Sequence, residues 1–172
     1  MSCFCTPQYN ELKHQKNMNK VIFLDIDGVL ISTFPTWQHD EMDTDGYSKF
    51  NDGAVANLKQ LLAEFPDWRI VISSTRRLGK SLERLEEIFS FRGLGNLIVD
   101  KVPDCDDLRL SRALEISRYI SEKNIQEFVI IDDDTSMTGM DETVLPNIVL
   151  TKYRQGFDAD SLAVAWRILG RY

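Results

Sequence analysis

Residues 23–30 read "FLDIDGVL". The stretch continues the apolar run Val21-Ile22-Phe23-Leu24, ends it in Asp25 and Asp27, and follows them at once with Gly28. A continuous apolar run of this kind reads as a strand covered on both faces. Burying an unpaired carboxylate at the end of such a strand is costly. Asp25 and Asp27 therefore need a cation, hydrogen bonds, or the water of a cleft.

The pattern around this strand recurs along the chain. "WRIVIS" (68–73), "NLIVD" (96–100), "EFVIID" (127–132) and "NIVLT" (147–151) are predicted as further strands. Between them, apolar residues return at helical spacing. Val55, Leu58, Leu61, Leu62 and Phe65 mark a helix capped by Asn51 or Asp52 and stopped by Pro66. Leu82, Leu85, Ile88 and Phe89 mark a second, ended by Gly93 and Gly95. Leu110, Ala113, Leu114, Ser117 and Ile120 mark a third. Leu162, Ala165, Trp166 and Leu169 mark a last one, capped by Asp158 or Asp160. Strands alternating with helices predict an α/β fold, a Rossmann-like parallel sheet of about five strands with helices on both faces. Residues 31–52 carry acids, aromatics, Pro35 and Gly46, and read as an irregular lid with no room for a separate cap domain. Residues 1–19 are polar and patternless, the expected flexible tail of a single domain over 20–172.

Composition narrows the function classes. The chain has 172 residues, is 43% hydrophobic and carries a net charge of −7. With no basic run, a broad nucleic-acid surface is not expected, but a local basic pocket reading one phosphate is compatible. No apolar run approaches the roughly 20 residues that cross a bilayer. No secretory h-region opens the sequence, so a cytoplasmic location without a membrane partner is expected. The three cysteines, Cys3, Cys5 and Cys105, make no disulfide framework, and no second pair completes a zinc set with Cys3 and Cys5.

Ligands of parallel sheets bind beyond the carboxyl ends of the strands. Asp25 and Asp27 close the first strand, Ser73, Ser74 and Thr75 the second, and Asp132, Asp133 and Asp134 the fourth. Crowded carboxylates repel, and a divalent cation relieves them. Oxygen ligands suit Mg²⁺. Residues i and i+2 of a strand share a face, so Asp25 can attack a phosphorus while Asp27 protonates the leaving oxygen. Gly28 permits a tight turn and lets backbone N–H groups approach a phosphate. Each part has a plainer reading: a turn with an Asx bond, strand-end hydroxyls, a solvated acidic corner. Their occurrence in this order favours the phosphoryl-transfer reading.

"DIDGVL" (25–30), "VISSTRR" (71–77), "RALEI" (112–116) and "VIIDDD" (129–134) resemble the haloacid dehalogenase (HAD) superfamily of phosphohydrolases. More narrowly, they resemble the HAD-type domains associated with RNA-repair proteins. The resemblance implies Asp25 as a nucleophile that forms an aspartyl-phosphate, and Asp27 as general acid and then base. It implies Ser73 as phosphate ligand, with Ser74 as the other candidate. It implies Mg²⁺ held by Asp25, the Asp27 carbonyl and Asp132, with Asp133 in support. The family expects a basic residue from its third motif to clamp the phosphate and the nucleophile, and no lysine of this chain sits at an unambiguous third-motif position. Arg112 is the first candidate, with Arg109 and Lys101 behind it. The plainer reading of Arg112 is a helix arginine paired with Glu115. "SSTRR" resembles a Ser-Ser-x-Trp-Arg pattern, with Arg77 at its arginine and Arg76 in place of its tryptophan. Each arginine either meets substrate or is solvated at the surface.

The implied function is a Mg²⁺-dependent phosphatase whose open site takes a phosphorylated small molecule or nucleic-acid end. Phe34, Trp37 and Tyr47 either form the core of the lid or stack on a base. Lys152 and Arg154 follow the fifth strand and are expected to line the same rim. The alternative is a non-catalytic HAD-fold phosphate-binding module. A signalling receiver fits less well, because its paired acids are adjacent and Ile26 separates these.

Overall fold

The computed structural model describes residues 19–32, 39–104 and 111–172. The expectations for residues 1–18, Phe34, Trp37, Cys105, Arg109 and Leu110 lie outside the described residues.

Strands β1 (Lys20–Leu24), β2 (Arg69–Ile72), β3 (Ile98–Lys101), β4 (Glu127–Asp132) and β5 (Ile148–Leu150) form one sheet in the order β3-β2-β1-β4-β5. Every pairing is parallel. The helices are α1 (Asp52–Glu64), α2 (Leu82–Phe91), α3 (Arg112–Lys123) and α4 (Ala159–Leu169). This is the Rossmann-like α/β sheet that the alternating pattern predicts.

Side-chain alternation divides the core. Ile22, Leu24, Ile70, Ile72, Val129 and Ile131 pack with apolar residues of α1, α2 and α4. Val21, Phe23, Val71 and Ile130 pack on the other face with Ile116 and Tyr119 of α3. Burial on both faces is why the strands are apolar at every position. Phe23 meets Tyr119 edge-on at 5.7 Å between ring centroids.

The register positions the site. Leu24 lies level with Ile72 of β2 and Ile131 of β4. One residue on, Asp25, Ser73 and Asp132 come level at the carboxyl edge of the sheet. Asp25 also continues the odd-numbered series that faces α3, whose first residue is Arg112.

The caps resolve the sequence alternatives. Asn51 rather than Asp52 caps α1, and Asp158 rather than Asp160 caps α4; each side chain accepts from a first-turn amide. Ser111 caps α3 in the same way, accepting from the Leu114 N–H. Helix α1 stops at Glu64, before Phe65 and Pro66.

The excursion before α1 is more regular than expected. Met42 and Ser48 pair antiparallel around a turn in which Gly46 takes φ +74°. Lys49 N donates to the Glu41 carbonyl at 2.7 Å, and Asp43 N to the Tyr47 carbonyl at 2.9 Å. Arg92, just past α2, pins this hairpin by bonding Asp43, Asp45 and the Ser48 carbonyl. Its guanidinium lies 4.5 Å over the Phe50 ring. Tyr47 is buried against Phe50, so it belongs to the lid core of the two readings offered for it. Among the described residues, no helix is long and apolar enough to cross a membrane.

Candidate active site

Asp25 is 1% exposed. Its carboxylate accepts from the Ile26 N–H at 2.8 Å, from Arg112 Nη1 at 2.5 Å, and from the Ser74 hydroxyl. Asp132 is fully buried and accepts from the same Arg112 nitrogen at 2.8 Å through each oxygen. Its Oδ1 also accepts from the Asp134 N–H at 2.9 Å. Asp25, Asp132 and Asp133 each bring one oxygen within 4.8 Å of the others.

Burial is the main force on these acids. It raises the Asp25 carboxyl above the ordinary range, against the pull of Arg112, Ser74 and the Ile26 amide. It lifts Asp132 to about 7, with the charge of Asp25 adding to the rise. Asp133 is raised by the same two causes. Arg112 itself is held above its usual value: burial opposes its charge, and Asp25 and Asp132 more than offset that. One guanidinium thus pairs with two buried carboxylates, and the half-buried Asp133 adds a third acid beside them. An all-oxygen, partly buried donor set of this charge fits a hard divalent cation such as Mg²⁺.

Gly28 has φ +69°, and a Cβ there would stand 2.3 Å from Asp133 Cγ. Glycine is therefore required both by the turn and by the approach of Asp133. Its own N–H, however, donates to the Ile31 carbonyl at 2.7 Å. That donor is committed to the turn, so a phosphate approaching Gly28 as the sequence suggests would meet other N–H groups of the loop. The Thr151 hydroxyl donates to the Gly28 carbonyl at 2.8 Å and ties the end of β5 to the same turn.

The two serines are not equivalent. Ser74 reaches Asp25, and its Oγ accepts from the Arg76 N–H at 3.3 Å. Ser73 Oγ is buried with no hydrogen-bond partner among the described residues. A buried hydroxyl without a partner, level with Asp25, is free to bond a ligand oxygen.

Asp27 stands apart from the acidic group. Its carboxylate is held by Arg76, whose Nε lies 2.8 Å from both oxygens. Arg76 also bonds Ser48 Oγ and Asp40, so it is a half-buried, ion-paired arginine rather than one simply solvated at the surface. Arg77 is buried, which corrects the surface reading for it as well. It donates to the carbonyls of Ser73, Ser74, Val102 and Pro103 and pairs with Glu115 at 2.9 Å. Glu115 thus belongs to Arg77, and Arg112 is left for Asp25 and Asp132. Lys101 pairs with Asp104 at 2.8 Å rather than with the site acids.

Tyr153, between Lys152 and Arg154, carries no sequence pattern that marks it. It is half-buried, and its hydroxyl is raised by burial and then by the charges of Asp27, Asp40 and Asp133.

Over residues 21–162 the sequence matches the family described as the HAD domain in Swiss Army Knife RNA repair proteins. No match was found among curated proteins. A HAD domain points to phosphohydrolase-type chemistry, and HAD domains typically use Mg²⁺.

Proposed function

This chain belongs to the family of HAD domains in Swiss Army Knife RNA repair proteins, and from that premise we propose that it is a Mg²⁺-dependent phosphatase. It hydrolyses a phosphomonoester through an aspartyl-phosphate. The observation that carries this reading is Asp25: a buried carboxylate aimed by Arg112, Ser74 and the Ile26 amide at the end of the central strand.

In the first step an Asp25 oxygen attacks phosphorus and the ester P–O bond breaks. Asp27 enters this step as the carboxylic acid, gives its proton to the departing oxygen, and is left as the carboxylate that Arg76 holds. In the second step Asp27 takes a proton from water as that water attacks the same phosphorus. Asp25 is regenerated and inorganic phosphate leaves. Arg112 steadies Asp25 throughout, and Ser73 and Ser74 supply hydroxyls for the phosphoryl oxygens. Asp25, Asp132 and the Asp27 carbonyl would hold Mg²⁺, with Asp133 in support. When bound, the ion supplies positive charge against the charge that builds on the phosphoryl oxygens.

The substrate is a nucleotide or a polynucleotide end. The family's association with RNA repair supports this. The net charge of −7 argues against broad nucleic-acid binding and for recognition of a single end.

The test is phosphate release from p-nitrophenyl phosphate and from 3′- and 5′-phosphorylated oligonucleotides, with Mg²⁺ or with chelator. Turnover that needs Mg²⁺ and is lost in Asp25→Asn is expected, a loss of at least about 10³-fold. Activity that survives Asp25→Asn contradicts the covalent route. No turnover of any ester favours the phosphate-binding module.

A further inference from the structure

We propose that Arg76 is a positioning residue: it holds the Asp27 carboxylate for proton transfer, and it is itself aimed by Asp40 and Ser48 of the hairpin. The inference rests on the phosphatase reading above and adds to it a part of the chain that reading does not use.

A proton-transfer group has to be aimed as well as present. Asp27 lies beyond the end of β1, with its side chain 34% exposed, so packing alone does not fix its carboxylate. Arg76 fixes it with a planar fork: Nε lies 2.8 Å from both oxygens, and Nη2 is 2.7 Å from Oδ1. The rest of the guanidinium is engaged from the hairpin. Nη1 donates to Ser48 Oγ at 2.8 Å and Nη2 to Asp40 Oδ2 at 2.7 Å. Ser48 Oγ donates to the same Asp40 oxygen at 2.7 Å, which closes a ring of three side chains. Ion pairs to Asp27 and Asp40 hold Arg76 charged more firmly than an ordinary arginine, although burial opposes this.

The backbone carries the aim onward. Arg76 sits in the single 3₁₀ turn Thr75–Arg77. Ser74, which caps that turn, touches Asp25, and the buried Arg77 locks the turn to the carbonyls around it. One short turn therefore sets both carboxylates of the Asp-Ile-Asp motif. Arg76 approaches Asp27 without burying it: the Asp27 side chain stays 34% exposed. A lysine at 76 would keep the charge and lose the fork.

Leaving-group dependence separates this role from a general structural one. p-Nitrophenolate leaves without a proton, whereas an alkoxide needs one. The parameter kcat/KM reports only the steps through ester cleavage, so the later attack of water does not enter. In Arg76→Gln, kcat/KM for a phosphorylated oligonucleotide end is expected to fall about 10²-fold. The fall for p-nitrophenyl phosphate is expected to be at least about tenfold smaller than that. Arg76→Lys recovers part of the difference. Asp40→Asn and Ser48→Ala, which leave Arg76 in place, show the same selectivity at about tenfold, and they carry the test if Arg76→Gln does not fold. Equal losses on the two esters, or a larger loss on the aryl ester, overturn the inference. So does wild-type protein that turns over the aryl ester and no alkyl one. Wild-type protein that turns over neither overturns the phosphatase reading itself.

Discussion

Two arginines sit among carboxylates at the mouth of the sheet, at different depths. Arg112 bonds Asp25 and Asp132, whose side chains are 1% and 0% exposed. Arg76 bonds Asp27 and Asp40, whose side chains are 34% and 21% exposed. In the deep group burial outweighs the arginine, and the pKa values of the acids rise. In the shallow group a single guanidinium satisfies both acids and a hydroxyl at ordinary hydrogen-bond distances. The same pairing therefore gives two outcomes. Where water is excluded, an ion pair leaves electrostatic stress that a further cation relieves. Where water is close, the pair is complete and serves to aim a side chain.

The largest effect expected from this contrast is in the deep group. Asp132→Asn removes a charged oxygen donor and should weaken Mg²⁺ binding by about 10²-fold or more. The same change at Asp40 should leave Mg²⁺ affinity within about threefold. Calorimetric titration of Mg²⁺ into each protein compares them, and equal losses would erase the distinction between the groups.

A smaller effect is expected at Arg112. Arg112→Lys keeps the charge but not the geometry that bridges Asp25 and Asp132. A fall of about 10- to 10²-fold in kcat/KM is expected on both aryl and alkyl esters. That uniform loss contrasts with the ester-selective loss expected at Arg76. Steady-state kinetics on the two esters reads the difference.

The smallest effect is on stability. The Asp132 pKa is about 7 in the folded chain against an ordinary 3.8. A carboxyl raised on folding contributes stability that is full below its unfolded value and is lost as pH rises through its folded value. In chelator, wild-type protein should therefore lose stability relative to Asp132→Asn as pH rises from about 4 to about 7. Thermal melts across that range measure it, and parallel curves would show that burial does not stress Asp132.

Much of this arrangement is legible in the sequence. Each strand is apolar because each is covered on both faces, and the acids stand out because they end those runs. That contrast locates Asp25, Asp27, Asp132 and Asp133 before any coordinate is known. The RALEI segment marks Arg112 only through its resemblance to a family. The shallow group is another matter. Asp40 and Ser48 lie in a segment without periodicity, and Arg76 meets Asp27 across 49 positions of sequence. Hydrophobic pattern reports which residues leave water; it carries nothing about which partner a charged side chain finds. The same limit hid the buried Arg77, which looks like a surface arginine until four carbonyls and Glu115 surround it. It also hid the order of the hairpin, which Arg92 imposes from the end of α2.

The most direct measurement is chemical trapping of the phosphorylated protein. The chain is mixed with substrate and Mg²⁺, quenched within one turnover, and reduced with borohydride, which converts an aspartyl-phosphate to homoserine. Peptide mass spectrometry then reads each aspartate. Homoserine at position 25, absent without substrate and absent in Asp25→Asn, is the result predicted. Active protein that yields unmodified Asp25, or homoserine at another aspartate, would contradict the account.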